Sequence, residues 1–595
     1  MTDLEEVKEL LLKGLNSQQK RIVTSEDNLL VKACPGSGKT RVLTYKLAYM
    51  YLSNPNSIKR IIAITYTNRA ADEIKNRLDL FEIDFTNIWA GTIHQFCLEY
   101  IIHPYAMSYS RLKKGFKIID EYIQSRYIQE LLSELNLNIP RYEIAKIRTA
   151  LTKDMSICET KYPNVVAEYH KRLVGNKEID FDLILNLAYK ILIEHPNATF
   201  TIANTIRSIF VDEYQDTNEL QYQIIGQLTH ANNKIMTLFV GDLDQAIYGG
   251  LGGTAKSLEE IVEVTGQAFS EATLNGCYRS TQRIIDYYAY FQERKYEIIS
   301  KSERAKVRGV ITLDTETDKD DIYCDISQLI KNTISAGVPP EEICVIAPQW
   351  YLLYPLSKML KELLPNVPFD APDISPIKVD DMNVFYKFSK IVFTDVGVKV
   401  SSRKRIASEI LNMLINEYNV AIDQHIDNYW ILQKINSLKP NSDDGIKYFT
   451  DVVSHVLRLL NADRSTYPTL YDTLDNFMEK ITDRIQRFDL ASNIDAFKRM
   501  FKEKHGTVIT SCHKIKGEEY NTVIAFGILQ GMVPHWDAIF TGSDRGANEA
   551  NKLLYVIASR ARENLYLFAE KGRTTKRVIY QLTDVLQAYD YNYDL

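Results

Sequence analysis

The pentapeptide GSGKT, Gly36 to Thr40, falls between an apolar run, NLLVKA, and an apolar helical pattern, RVLTYKLAYM. In that setting Gly36 and Gly38 let backbone amides turn toward an anion at a helix N-terminus. Lys39 adds charge for β- and γ-phosphates, and the Thr40 hydroxyl suits Mg²⁺. A second block, SIFVDEYQDTNELQ, closes a β-branched run with the adjacent acids Asp212 and Glu213. The carboxyl end of a parallel strand is where α/β sheets bind ligands, so Asp212 would hold Mg²⁺ and Glu213 would polarise an attacking water. A third block, LFVGDLDQAIYGGLGG, places Asp242, Asp244 and Gln245 after another strand. A neutral carboxamide there can bond a terminal phosphate or the water and so tell triphosphate from diphosphate. Cations must also neutralise the transferring group, and Arg279 in LNGCYRS and Arg560 in NKLLYVIASRAR are candidates.

Each block has a plainer reading. GSGKT can be a glycine turn, since Ala33 stands where a fuller phosphate-loop pattern has glycine. Asp212 and Glu213 can cap a helix starting near Thr217. Asp242 and Asp244 can form an Asx turn beside an exposed Gln245, and either arginine can sit in a surface ion pair.

Strands and helices must position these residues. Short β-branched runs recur at 28, 61, 208, 236, 507 and 521 and read as buried parallel strands, each leading into a helical pattern. Two α/β cores follow. Helical periodicity replaces strand signals from about 95 to 200 and 365 to 500, as in EYIQSRYIQELLSELN and ASEILNMLINEYNVAI. The expected architecture is α/β, with two RecA-like parallel-sheet cores, each carrying a mainly helical insertion. The first core takes residues 1–93 and 201–275 around an insertion at 94–200. The second takes 276–365 and 501–595 around an insertion at 366–500. The loops NPNS and KPNSDDG punctuate this plan.

In order along the chain, LNSQQKRIV, ACPGSGKT, TYTNRAADEIKNR, GTIHQFC, DFDLIL, VDEYQD, VGDLDQAIY, LNGCYRS, HKIKGEEY with GMVPH, and LLYVIASRAR resemble the motif series of the UvrD/Rep/PcrA family of superfamily-one DNA helicases, from residue 15 to about 568. The resemblance implies two RecA-like cores with ATP between them and DNA across their upper face. It implies that Gln19 reads the adenine edge, Tyr278 stacks on the base and Glu519 meets the ribose. The phosphates fall to Gly36, Ser37, Gly38, Lys39, Thr40 and Arg41. Lys39, Asp212, Glu213, Gln245, Arg279 and Arg560 form the hydrolytic set, with Thr40 and Asp212 on Mg²⁺. For single-stranded DNA it points to Thr65, Tyr66, Asn68, Arg69, Thr92, His94, Tyr248 and His513. A core-packing role is the alternative for Tyr66 and Tyr248, in a chain with 37 tyrosines.

The implied activity is a DNA-dependent ATPase and 3′ to 5′ helicase acting on single-stranded or tailed DNA. A second reading is an ATPase motor or sensor working with a separate nuclease subunit, since this compact architecture also resembles the helicase component of Gabija-like antiphage systems. Departures fall on the DNA side. Gly250 and Leu251 stand where the family carries an aromatic and an arginine, which implies a weaker grip or looser coupling. Cys277 and Ser511 replace asparagine and threonine, and Pro348 and Gln349 follow EEICVIA where arginine is common.

Composition agrees with a local rather than global nucleic-acid site: 71 basic against 77 acidic residues, net charge −6, create no attracting field. No run is long and apolar enough to span a bilayer and the first residues are acidic, so a cytoplasmic protein away from membranes is expected. The seven scattered cysteines lack any CxxC spacing and read as reduced, mostly buried thiols.

Overall fold

The computed structural model describes residues 2–81, 85–144, 147–247, 253–371, 375–398, 400–501, 506–575 and 578–594. The chain divides into two compact units, Met1–Cys34 with Gly38–Leu274, and Pro35–Ser37 with Asn275–Leu595.

The first unit is built on six strands: β1 (Leu29–Ala33), β2 (Arg60–Thr65), β3 (Ile88–Thr92), β4 (Ile206–Asp212), β5 (Met236–Gly241) and β6 (Ser270–Leu274). Their order in the sheet is β3-β2-β4-β5-β1-β6, and every pairing is parallel. The central strands are buried along almost their whole length, which is why they read as unbroken apolar runs rather than alternating ones. Register pairs Val31 with Val240 and Val211 with Phe239, so the ends of β1, β4 and β5 lie side by side. That adjacency carries the three phosphate-chemistry blocks to one edge.

The second unit repeats the plan with β7 (Ile311–Asp314), β8 (Ile343–Ala347), β9 (Phe369–Asp370), β10 (Thr507–Ser511), β11 (Tyr520–Ala525) and β12 (Ala561–Phe568). Their order is β7-β12-β11-β8-β10-β9, again parallel throughout. Both units are RecA-like parallel-sheet cores.

Between β3 and β4 the chain is mainly helical, including Glu121–Glu134, Pro163–Asn176 and Phe181–Glu194. One short parallel pair, Lys117–Ile118 with Glu178–Ile179, lies within it; two residues per strand are too few to leave a period in the sequence. Among the described residues between β9 and β10, six helices enclose a core of their own around Phe385, Phe388, Leu414, Val452 and Phe477. The helix expected through ASEILNMLINEYNVAI stops at Asn416, where the chain turns and Val420 N–H donates to the Leu414 carbonyl.

Cys34, Cys97, Cys277, Cys344 and Cys512 are buried thiols, Cys158 is half-buried and Cys324 exposed. Among the described residues no helix is long and apolar enough to cross a membrane.

Candidate nucleotide site and nucleic-acid interface

The phosphate loop follows β1 directly. Gly38 has φ 82° and is the N-cap of the helix Lys39–Ser53, and it supplies no side-chain acceptor to the first turn. The helix amides that lack intrahelical partners therefore open on the loop, as an anion site requires. A side chain at Gly38 would be strained and would approach Gln19 Nε2 at 3.3 Å. Gln19 is itself fixed by a capping box: its Oε1 accepts from Asn16 N–H at 3.2 Å and its own N–H donates to Asn16 Oδ1 at 2.8 Å. Its amide nitrogen is thereby aimed at the loop.

The loop tip, Pro35–Ser37, groups with the second unit, where Tyr278 N–H donates to the Gly36 carbonyl at 2.8 Å. Gly36 has φ 70°, and an added Cβ would meet Arg279 Cβ at 2.6 Å. Ser37 is buried. Arg41 turns elsewhere: its guanidinium donates to the Gly14 carbonyl at 3.0 Å and lies over the Tyr45 ring.

Asp212 ends β4 and Glu213 follows in the left-handed region, φ 50°, a conformation costly for a residue with a side chain. Glu213 Oε1 lies 3.4 Å from Lys39 Nζ, and Glu213 N–H donates to Asp212 Oδ1 at 3.0 Å. Neither acid caps the next α-helix. That helix starts at Glu219 and is closed by a capping box between Asn218 and Gln221, so the helix-cap alternative fails.

At the end of β5, Asp242 accepts from Asp244 N–H at 3.2 Å, which is the Asx turn. Gln245 is not left exposed beside it. It is 2% accessible and donates Nε2 to Asp242 Oδ2 at 2.7 Å.

Sequence reasoning passed over Gln215. Its Nε2 donates to Glu213 Oε2 and its Oε1 accepts from Asp242 N–H at 3.1 Å. One chain of contacts thus runs Lys39, Glu213, Gln215, Asp242, Gln245. The signal available was its place in VDEYQD, two residues after the acid it contacts.

Burial and the neighbouring Glu213 charge push the Asp212 carboxyl up to about 7, with Lys39 opposing. Burial likewise raises Asp242. For Asp212 the folded-state value lies above the unfolded one, so its linked stability is present at low pH and is lost as pH rises toward 7. Asp212→Asn removes the buried charge. Thermal unfolding of the nucleotide-free protein is expected to show little gain in Tm for this variant near about pH 5 and a clear gain near about pH 8. A gain of the same size at both values would contradict the burial effect.

The remaining candidates of the first unit follow β2 and β3. Thr65 donates its hydroxyl to the Thr67 carbonyl at 2.9 Å, and Tyr66 beside it is 38% accessible. Burial and Asp216 push the Tyr66 hydroxyl up to about 12. Asn68 and Arg69 open the helix Asn68–Asp79, and Asn68 Oδ1 is buried with no hydrogen-bond partner in the structure. Thr92 caps the helix Ile93–Phe96 with Gln95. His94 meets the Phe181 ring edge-on at 5.9 Å, and its surroundings push the imidazole down to about 4, so at neutral pH it is an uncharged ring. Tyr248, Gly250 and Leu251 lie outside the described residues. Thr254 N–H donates to the Thr217 carbonyl at 2.9 Å, in the segment after Glu213.

In the second unit, Arg279 Nε lies 2.7 Å from Glu519 Oε2, and Arg279 also donates to the Ser559 carbonyl at 2.9 Å. Arg560 is 1% accessible and donates to the carbonyls of Val556 and Glu518 and to Ser559 Oγ. The two arginines therefore meet at one corner, Glu518–Glu519 against Ser559. Glu519 also lies 3.6 Å from Arg562, so its carboxylate is held between two guanidiniums. Tyr278 is 45% accessible. His513 follows β10, and burial lowers its imidazole.

Comparison with known proteins accords with this arrangement. Residues 15–263 match the model of the UvrD/REP helicase N-terminal domain, and residues 401–572 match that of the UvrD-like helicase C-terminal domain. The chain is 25% identical to the ATP-dependent DNA helicase PcrA of Staphylococcus epidermidis, over 94% of this chain and 83% of that protein. It is 26% identical to the ATP-dependent DNA helicase PcrA of Bacillus subtilis, over 95% and 84%. It is also 26% identical to a probable DNA helicase II homolog of Mycoplasma capricolum, over 94% and 85%. With both domain models matched in order on two RecA-like sheets, the chain belongs to the UvrD/Rep/PcrA-like helicase family.

Proposed function

We propose that this chain is an ATP-driven single-stranded DNA translocase and helicase that moves 3′ to 5′. The observation that carries the reading is the sorting of one sheet edge. The segments that leave the carboxyl ends of β1, β4 and β5 carry Lys39, Asp212, Glu213, Asp242 and Gln245, while those at the ends of β2 and β3 carry Thr65, Tyr66, Thr92 and His94. Nucleotide chemistry and a base-stacking tyrosine thus share a rigid platform. Stacking on Tyr66 is indifferent to sequence and worth ~1–3 kcal/mol per base.

Phosphates entering at Gly36–Thr40 draw Lys39 away from Glu213, since a triphosphate outbids one carboxylate for the ammonium. Glu213 Oε1 is then left to polarise water. Thr40 and Asp212 fit Mg²⁺. Asp212 is a buried carboxylate whose charge is unfavourable without a nearby cation, and the described residues contain no group of three or more His, Cys, Asp or Glu forming a dedicated cage. One carboxylate and one hydroxyl, with waters and phosphate oxygens, is the donor set this ion commonly takes. Bound there, it would neutralise charge on the β- and γ-phosphates. Gln245 reports whether the terminal phosphate is present, and the family resemblance assigns Arg279 and Arg560 the neutralising of charge during transfer.

Duplexes carrying a 3′ or a 5′ single-stranded tail test the proposal. Strand separation with ATP is expected for the 3′-tailed substrate alone. Preference for the 5′ tail would refute the direction. ATP turnover without separation of either substrate, relieved by adding a nuclease partner, would favour the nuclease-linked motor instead.

A further inference from the structure

Gln215 sits in a single helical turn, Tyr214–Asp216, immediately after the catalytic acid, and is buried. Its carboxamide has two ends and two different demands upon it. The donor end meets the Glu213 carboxylate and the acceptor end meets the backbone N–H of Asp242, so the orientation of the amide follows from its partners. Gly241 makes room for it: a Cβ there would lie 2.1 Å from Gln215 Oε1 and 2.7 Å from Tyr214 Cδ1. Tyr222 hydroxyl donates to the Tyr214 carbonyl at 2.7 Å and holds the turn from behind. Asp242 in turn accepts from Gln245.

We infer that Gln215 is a positioning residue for hydrolysis: it aims the Glu213 carboxylate and couples that aim to the turn bearing Gln245. The inference rests on the reading of Glu213 as the water-polarising acid. A planar amide bonded at both ends is a stiff link. Movement of the Asp242 turn when the terminal phosphate leaves therefore carries Glu213 with it, and misplacing a reacting group by ~1 Å costs ~10²-fold in rate.

Gln215→Leu keeps the bulk and removes both bonds. ATP turnover is expected to fall roughly 10- to 100-fold, with KM for ATP within about twofold of wild type. Gln215→Glu separates aim from packing. A protonated carboxyl offers the same single donor and single acceptor as the amide, whereas the ionised form offers only acceptors and repels Glu213. Its kcat relative to wild type should rise as pH falls from about 8.5 to about 6, while the ratio for Gln215→Leu stays flat. A side chain that only fills space would give both variants flat ratios, which would overturn the inference.

Hydrogen–deuterium exchange over Asp242–Gln245 supplies a readout independent of turnover. Exchange in Gln215→Leu is expected to be faster than in wild type. Equal exchange would overturn the coupling. If the wild-type chain hydrolysed no ATP, the function proposed above would fall, and the exchange comparison would still decide the link.

Discussion

Lys39→Ala is expected to lower ATP turnover by ~10²- to 10³-fold with the fold intact. The side chain does two jobs. In the nucleotide-free protein its ammonium lies 3.4 Å from Glu213 and lowers the charge cost of the buried Asp212 and Asp242. With ATP present it meets the phosphates, and removing it takes positive charge from the place where negative charge is handled during transfer. Alanine removes a cation that opposes the charge of Asp212, Glu213 and Asp242, so nucleotide affinity should fall as well as kcat. Far-ultraviolet circular dichroism and steady-state turnover check this together. A folded variant with wild-type turnover would remove Lys39 from the mechanism and, with it, the phosphate-loop reading.

Glu213→Gln should show the opposite split, with kcat reduced ~10²- to 10⁴-fold and ATP bound at least as tightly as by wild type. The amide can still accept from Gln215, so the local network survives. What is lost is the negative oxygen that polarises water. One fewer negative charge beside the phosphates also favours binding. Calorimetric titration with ATP alongside single-turnover hydrolysis reads both halves. Unimpaired hydrolysis would mean that another group prepares the water; weakened binding with normal kcat would make Glu213 a structural partner of Lys39.

The six β-branched runs read as strands correspond to β1, β2, β4, β5, β10 and β11 because each lies deep in a parallel sheet, with both faces covered. The edge strands were harder to see for the same reason turned around. β6, with the sequence SEATL, buries only its last residue fully, and a solvated edge needs no apolar run. β3, as IWAGT, combines a glycine with a tryptophan that folds back over it, and gives no alternating pattern.

Among candidate site residues, those defined by adjacency in sequence were legible as candidates: GSGKT, the Asp212–Glu213 pair and the DLDQ turn. Gln215 was not, since its meaning depends on Asp242, 27 residues away, and on the absence of a side chain at Gly241. Arg560 was legible as a cation but not as a buried one, because burial is set by the corner it shares with Glu518 and Ser559. Gln245 shows a middle outcome. The Asx turn of the plainer reading forms at Asp242, yet that turn also receives the Gln245 amide, which is buried rather than exposed.

The central claim is that one sheet edge couples phosphate chemistry to a DNA strand. Steady-state ATP hydrolysis by the purified chain, with and without single-stranded DNA and with Lys39→Ala as the control for contaminating enzymes, tests it most directly. Strong stimulation by DNA is the expected result. Hydrolysis that is abolished by Lys39→Ala but indifferent to DNA of any length or tail would contradict the coupling, whatever the family of the chain.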